Sequence, residues 1–186
     1  MIRVFDVTLS LAGLVLSAPF IALIWLLVWV ETGSPLFRQQ RVGRFQVPFI
    51  LIKFRTMRLD TVSTATHLVD PSAVTKLGGL LRRTKLDELP QLWNVIKGDM
   101  SLVGPRPCLF SQTDLIAERA ARKVFSVRPG VTGLAQISGI DMSTPALLAE
   151  TDARMLDDMG LPTYLKYILK TLLGSGGGDR IKSREQ

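Results

Sequence analysis

The longest pattern along the chain is an apolar run from Val7 to Val30, in which no side chain is charged. Its 24 residues, as a helix rising 1.5 Å per residue, would just cross a hydrocarbon core of roughly 30 Å. Pro19 lies near the centre, where a proline removes one backbone hydrogen bond and collides with the preceding turn. The Ser17 hydroxyl is one candidate to bond a freed carbonyl. The run is therefore either a kinked crossing or a re-entrant hairpin whose arms leave by the same face.

The flanks of this run favour the hairpin. Arg3 precedes it, while Arg38, Arg41 and Arg44 follow it. Basic residues on both sides suit a segment that enters and returns better than a crossing that obeys the positive-inside rule. A cleaved signal peptide fits less well, because the run is long and no small-x-small site precedes its end. We therefore predict a re-entrant membrane helix in residues 1–32, with a straight crossing as the alternative.

Beyond the anchor, shorter patterns predict a small, mainly helical α/β domain with short strands in residues 33–173, followed by a flexible tail in residues 174–186. Strands are expected at residues 36–40 and 47–57, and loops at residues 60–72, 101–107 and 128–133. Helices are expected at residues 74–83, 86–99, 114–125, 147–159 and 164–173, and the third of these contains a Glu118–Arg122 pair. The helix expected at residues 86–99 has apolar residues at helical spacing, namely Leu89, Leu92, Trp93 and Ile96.

The helix at residues 164–173 is amphipathic, with Lys166 and Lys170 one turn apart among leucine, isoleucine and tyrosine. Such a helix either covers the core of the domain or lies on the bilayer surface. The pattern alone leaves both interpretations open.

The composition limits the partners and the catalytic chemistry that the chain can have. The chain has 186 residues, a formal charge of +7 and a pI of about 10, and beside a membrane segment an anionic leaflet explains this charge more simply than nucleic acid. Cys108 is the only cysteine, which excludes an internal disulfide framework and suits the reducing cytoplasm. His67 is the only histidine, so a zinc site or histidine triad lacks its usual residues. Catalysis would fall to carboxylates, lysines or hydroxyls.

Two adjacent acids, Asp87 and Glu88, come just before Pro90 and hence at a predicted helix N-terminus. There their side chains would point about 100° apart and could address two sides of one substrate atom. Alone, such a pair more often only stabilises the helix. Cations in nearby turns favour phosphate chemistry, with a carboxylate nucleophile and a divalent cation. These cations are Lys53, Arg55, Arg82, Arg83, Arg106 and Arg128.

Three motifs resemble one family. KFRTM (53–57), LRRTKLDELPQLWNVIKGDMSLVGPRP (81–107) and RPGVTGLAQISG (128–139) are similar to motifs of the bacterial sugar transferases, which are monotopic phosphoglycosyl transferases. The resemblance extends from the apolar segment to about residue 173. It implies transfer of a sugar 1-phosphate from a UDP-sugar to polyprenyl (undecaprenyl) phosphate, with release of UMP.

The resemblance also implies Mg²⁺ dependence and a place on the cytoplasmic face of the bacterial inner membrane. The family's re-entrant helix breaks at a Ser–Pro element, which reads Ser17-Ala18-Pro19 here. Amphipathic helices on the surface would add to the attachment. A nucleic-acid partner is not expected, and the sequence leaves a homo-oligomer open.

The family's motifs assign roles to individual residues. Asp87 matches the aspartate that forms the covalent phosphosugar intermediate, and Glu88 matches its glutamate; both would contact Mg²⁺. Arg82, Arg128 and Asp152 match further residues expected at the substrate, together with Lys53, Arg55 and Arg106 from the cation cluster. The chain departs from the family after GLAQ, where it reads Gly139-Ile140-Asp141 and Pro145-Ala146. A different sugar is expected if this region lines the sugar pocket.

Two other classes of function compete with an enzyme. A polybasic membrane-surface adaptor would use the acids only to stabilise a helix, so that loss of Asp87 would have no functional consequence. A nucleic-acid binder fits less well, because aromatic residues make up 7% of the chain and leave little for base stacking.

Overall fold

The computed structural model describes residues 2–61 and 70–174, so His67, most of the loop predicted at residues 60–72 and nearly all of the predicted tail lie outside the described residues. The described part combines helices with short strands and is mostly helical, which confirms the predicted mixed class. Its strands are β1 (Leu36–Val42), β2 (Pro48–Phe54), β3 (Ser101–Val103) and β4 (Gly130–Thr132). Its α-helices are α1 (Ile2–Thr32), α2 (Lys76–Thr84), α3 (Gln91–Lys97), α4 (Thr113–Ala121), α5 (Leu134–Ile137), α6 (Pro145–Asp157) and α7 (Leu161–Leu172).

Helix α1 is a single helix of 31 residues that continues through Pro19. The Ser17 hydroxyl donates to the carbonyl of Gly13 at 2.5 Å, and not to the carbonyl of Val15, whose donor the proline removes. After the proline, Ile21 and Ile24 pack on the core of the domain and support the helix. The break expected at Ser17 and Pro19 is therefore not a chain reversal in this structure.

One stripe along α1 lies on the globular domain. Asp6, Ser10, Ile24 and Val28 are buried there, three to four residues apart or at multiples of that spacing. Near the middle, a side chain at Gly13 would meet Leu92 at 3.2 Å. The opposite face is apolar and exposed, and by length and composition α1 could cross a membrane.

The carboxylate of Asp6 ties the start of α1 to two other elements. Its Oδ1 accepts hydrogen bonds from the Ser101 hydroxyl, the Leu102 amide and the Tyr164 hydroxyl, each at 2.8 Å. Asp6 is only 2% exposed, so these bonds compensate the loss of water around its charge. Burial, together with the hydrogen bond to Asp6, raises the pKa of the Tyr164 phenol. The N-terminus of α1 is thereby joined to β3 and α7.

Two arginines join other segments to the C-terminal end of α3. Arg3 donates to the Ile96 carbonyl at 3.0 Å, and Arg128 donates to the Gly98 carbonyl at 2.8 Å. Gly98, with φ of 101°, ends the helix in the left-handed conformation. Cations at a helix C-terminus satisfy its last carbonyls and oppose the helix dipole.

Strands β1 and β2 form an antiparallel hairpin in the register Leu36↔Phe54 to Val42↔Pro48, close to the predicted strands. Beside β2, the side-chain amide of Asn94 acts like a neighbouring strand. It accepts from the Ile52 amide at 3.1 Å and donates to the Ile50 carbonyl at 2.7 Å. The side of α3 that faces the core is thus polar at this point.

The apolar residues with helical spacing do not by themselves define the buried side of α3. Trp93, one of these residues, is 55% exposed, whereas Asn94 is 1% exposed. The reason is that the edge of β2 offers backbone hydrogen bonds, which an amide side chain satisfies and an indole ring cannot.

Strands β3 and β4 were both expected to be loops, and that expectation is wrong. They pair in parallel, with Ser101 opposite Gly130 and Val103 opposite Thr132. Each has only three residues and lies among glycines and prolines, so neither shows a strand pattern by itself. The backbones approach so closely that a Cβ at Gly130 would lie 2.0 Å from the Gly104 nitrogen. Glycine is therefore required at this crossing.

Helix α7 covers the core of the domain, which was one of the two alternatives left open by the sequence. Tyr164 and Tyr167 are buried against Val103 and Met155 in one cluster of the core. Leu165 and Leu169, on another face, are 43% and 57% exposed. One face of α7 covers the core, and its exposed leucines leave an apolar surface next to the start of α1.

Replacing Asp6 by alanine should destabilise the protein strongly, because three buried donors would lose their acceptor. We expect a loss of about 3 kcal/mol or more in the free energy of unfolding. Asp6→Asn, which keeps an oxygen acceptor but no charge, should lose less. Thermal unfolding in detergent micelles measures both. The exposed Asp60→Asn is the matched control and should change little; an equal shift for Asp6→Ala would contradict the role given to Asp6.

Candidate active site

The two adjacent acids lie in a single 3₁₀ turn, Leu86–Glu88, between α2 and α3. Lys85 ends α2 in the left-handed conformation, with φ of 60°, and this turns the chain sharply before the acids. Asp87 is buried, at 3% exposure, and Glu88 is partly buried. Pro90 then precedes the first residue of α3. The acids therefore come just before the helix, close to where the sequence predicted them.

Glu88 faces two cations. Its Oε1 lies 3.0 Å from the Arg106 Nη2, as an ion pair and hydrogen bond. Burial lowers the pKa of the Lys85 ammonium, while the charge of Glu88 raises it and the charge of Arg106 lowers it further. The three charges are thus close enough to influence one another. Sequence reasoning chose Arg106 but missed Lys85, whose left-handed backbone no local pattern revealed.

Arg106 lies in a segment that is held by its carbonyl oxygens. Pro105 and Pro107 flank it and have no N–H group. The backbone on either side of Arg106 is therefore held mainly through hydrogen bonds that its carbonyl oxygens accept. Four consecutive carbonyls each accept from a different donor: Pro105 from Gly130 N at 2.9 Å, Arg106 from Arg119 Nη1 at 2.8 Å, Pro107 from Arg41 Nη1 at 3.1 Å, and Cys108 from Val42 N at 3.0 Å. This fixes the backbone from which the Arg106 side chain reaches Glu88.

A buried ion pair supports the same segment from behind. Arg119 Nε and Nη2 lie 3.0 and 2.7 Å from Asp152 Oδ2, and the two side chains are 1% and 0% exposed. Burial raises the pKa of the Asp152 carboxyl, and the charge of Arg119 opposes that shift. Asp152, expected to bind substrate, is buried in this structure and accepts hydrogen bonds from Arg119. Sequence reasoning missed Arg119, which looked like one more surface arginine on α4.

The cations on and after β2 take different places. Lys53 is buried, with its ammonium 5.7 Å from the centre of the Phe37 ring. Arg55 donates to the Ser34 carbonyl at 2.9 Å and to the Leu36 carbonyl at 3.3 Å. Arg55 thus holds the connection from α1 to β1. Lys53 lies on β2, and this strand contacts the turn that contains Asp87 and Glu88.

The structure does not gather all the predicted cations around the acids. Arg82, in the last turn of α2, is buried on an element that contacts the acidic turn. The Arg128 side chain lies at the other end of α3, at Gly98. Seven residues of helix rise about 10 Å, and this separates Arg128 from the turn of Asp87 and Glu88.

The donor set at the acids suits a magnesium ion that arrives with a phosphate. Among residues 2–61 and 70–174, no group of three or more histidine, cysteine or acidic side chains could hold a metal by itself. Mg²⁺ is usually bound through one or two carboxylates, with phosphate oxygens and water completing its shell. Asp87 and Glu88 fit that requirement, and a metal cage made only of protein groups does not fit.

Comparisons with known proteins agree on one family. A family model described as "Bacterial sugar transferase" matches residues 1–175. An uncharacterised sugar transferase, EpsL of Bacillus subtilis, is 40% identical over 171 residues, which is 91% of this chain and 84% of that protein. A UDP-glucose:undecaprenyl-phosphate glucose-1-phosphate transferase of Caulobacter vibrioides is 40% identical over 182 residues, or 91% and 67% of the two chains.

An undecaprenyl-phosphate galactose phosphotransferase of Salmonella typhimurium is 36% identical over 154 residues, which is 74% of this chain. The match covers 32% of that relative, so the chain corresponds to only about a third of the Salmonella protein. Any continuous stretch that covers 74% of this chain includes the acid pair.

Replacing Asp152 by asparagine keeps the shape of the side chain but leaves the charge of Arg119 buried without its counter-charge. We expect this variant to lose about 3–5 kcal/mol in the free energy of unfolding, as measured by thermal or chemical denaturation. Glu150→Gln, on the same helix, is the control, because its pair with Arg154 is exposed and should contribute little. Equal stability of Asp152→Asn and Glu150→Gln would show that the buried pair does not hold the segment of Arg106.

Proposed function

Because the chain belongs to the bacterial sugar transferase family, we propose that it transfers a sugar 1-phosphate from a UDP-sugar to polyprenyl phosphate, in particular undecaprenyl phosphate, and releases UMP. The observation that carries this proposal is the buried Asp87 beside the Glu88–Arg106 pair. Relatives whose names include undecaprenyl phosphate as the acceptor support the choice of lipid.

In the proposed reaction, a carboxylate oxygen of Asp87 attacks the β-phosphorus of the UDP-sugar. The bond from that phosphorus to the bridging oxygen breaks, and UMP leaves with the electron pair. The resulting aspartyl phosphosugar is then attacked at phosphorus by an oxygen of polyprenyl phosphate. This second displacement gives polyprenyl diphosphate-sugar and restores the Asp87 carboxylate.

The surrounding charges support this chemistry. Two carboxylates would repel an incoming diphosphate, and Arg106 and Lys85 offset that repulsion from positions that the backbone fixes. Low exposure of Asp87 strengthens these interactions, because little water screens them. Mg²⁺, held by Asp87 and Glu88 together with the diphosphate, would neutralise charge on the phosphate oxygens when bound.

We further propose that the enzyme attaches to one leaflet, at the cytoplasmic face of the inner membrane. Support comes from α1, because Asp6 near its start and Val28 near its end both pack on the same globular domain. A perpendicular crossing would pull that domain into lipid. The exposed tryptophans Trp25 and Trp29 are typical of the membrane interface, where polyprenyl phosphate also presents its headgroup.

Asp87 should become covalently modified during turnover. With labelled UDP-sugar and no acceptor, intact-protein mass spectrometry should detect one added sugar phosphate on the wild type and none on Asp87→Asn, which lacks the anionic oxygen. A panel of UDP-sugars assayed for UMP release identifies the donor to use.

Glu88→Gln should slow turnover and is the companion variant, since it keeps Asp87 intact. A normal rate of product formation by Asp87→Asn would rule out the covalent mechanism and leave direct transfer or another nucleophile.

Both ends of α1 should be reached from the cytoplasmic side. The test places a single cysteine before Ile2 or, in a second variant, at Glu31→Cys, and treats sealed cells with a membrane-impermeant maleimide. Neither cysteine should be labelled in sealed cells, and both should be labelled once the cells are opened. The native Cys108 provides a silent background, because it is buried and burial raises the pKa of its thiol. Labelling of the N-terminal cysteine from outside would instead indicate a helix that spans the membrane.

A further inference from the structure

A separate cavity lies at the N-terminal end of α1, away from the acid pair. Its volume is about 210 Å³, and it is bounded by residues from α1, the tip of the β1–β2 hairpin, β3, the segment before β4, α6 and α7. Three arginines, Arg3, Arg44 and Arg128, line it. Because Arg128 lies at the far end of α3 from Asp87, this cavity is distinct from the proposed catalytic site.

Each arginine is anchored by a backbone carbonyl. Arg44 donates through Nε to the Ser126 carbonyl at 2.8 Å. Arg128 likewise donates through Nε to the Gly98 carbonyl at 2.8 Å. Arg3 donates through Nη2 to the Ile96 carbonyl at 3.0 Å. These bonds fix the directions of the guanidinium groups. The Nη groups of Arg44 and Arg128 donate to no protein acceptor within the described part of the chain, so their N–H forks remain for a ligand.

The lining carries more positive than negative charge. Against three guanidinium groups stands one carboxylate, that of Asp6. Its Oδ1 already accepts three hydrogen bonds, and its Oδ2 lies 3.8 Å from Arg3. Two positive charges are therefore uncompensated in a cavity large enough for a tetrahedral anion. Arginine forks match the oxygens of a phosphate group in pairs.

The surroundings of the cavity indicate where such a phosphate group would come from. Ile2 lines it, and Val4 and Phe5 follow on α1 with exposed side chains, while Leu165 is exposed next to the lining residue Tyr164 on α7. The cavity thus adjoins apolar surface at the start of the membrane helix, where lipid headgroups lie.

We propose that Arg3, Arg44 and Arg128 form a binding site for a phosphate group, which a phospholipid headgroup at the membrane surface supplies. This site is additional to the transferase chemistry and does not depend on Asp87. It would hold the N-terminal end of α1 and the hairpin tip against the headgroup layer.

The test uses the full chain and two probes. Native mass spectrometry after release from nanodiscs measures retained lipid, with phosphatidylglycerol compared with an uncharged glycolipid that has no phosphate. In a parallel measurement in detergent, thermal unfolding is followed with added inorganic phosphate against sodium chloride at equal ionic strength. Neither readout requires turnover, so a failure here is distinguishable from a failure of the proposed function.

Arg44→Gln is the principal variant, because Arg44 is exposed. Its guanidinium contacts the Ser126 carbonyl and the ring of its neighbour Phe45, so its loss should leave the fold intact. We expect it to weaken phosphatidylglycerol retention about tenfold, as for the loss of one charged hydrogen bond. Arg44→Lys, which keeps the charge but not the fork, should fall between Arg44→Gln and the wild type. Arg154→Gln removes an exposed arginine of α6 outside the cavity and should behave as the wild type.

The outcomes separate the sources of the phosphate group. Retention of phosphatidylglycerol that Arg44→Gln loses supports the lipid site. Stabilisation by inorganic phosphate alone, lost in Arg44→Gln, supports a phosphate site but overturns the lipid as its source. Equal behaviour of Arg44→Gln and Arg154→Gln with both probes overturns the site itself.

Discussion

The buried carboxylate of Asp6 is the contact on which the arrangement of the molecule depends. The N-terminal half of α1 offers the domain small and polar side chains, such as Ser10 and Gly13, whereas the C-terminal half offers Ile24 and Val28. In lipid, an apolar helix gains little by leaving one apolar surface for another, so close packing and polar contacts must hold it. Three hydrogen bonds to Asp6, together with the bond from Arg3 to α3, attach the N-terminal half of α1 to the domain. Apolar burial attaches the C-terminal half.

The acid pair depends on a second constraint, which is the fixed backbone around Arg106. Two prolines remove backbone donors from this segment, and its four consecutive carbonyls accept from β4, from β1 and from the Arg119 side chain. Arg119 in turn needs Asp152, a partner 33 residues away. The guanidinium of Arg106 therefore meets Glu88 from a rigid base, as required where charge must be placed before a substrate arrives.

Local patterns predicted the elements whose signals are local. The hairpin and the helices α2, α4, α6 and α7 lie within a few residues of their predicted positions, because apolar periodicity and turn residues mark them. The acids were found because a helix start follows them. Strands β3 and β4 were missed because three-residue strands exist only through their pairing with each other. Asn94 and Arg119 were missed because a buried polar side chain cannot be told from a surface one until its partners are known. For Pro19, the packing of α1 on the domain outweighed the local cost of the proline.

The central claim is that α1 lies along the globular domain over its whole length and brings the acid pair to the membrane surface. A disulfide between Gly13→Cys and Leu92→Cys tests it most directly, since a side chain at Gly13 would meet Leu92 at 3.2 Å. In native membranes under mild oxidation, this pair should cross-link nearly completely and leave UMP release intact. The control pair Val15→Cys and Leu92→Cys should not cross-link, because Val15 is 67% exposed on the other side of α1. Absence of the first cross-link, or equal formation of both, would contradict the account.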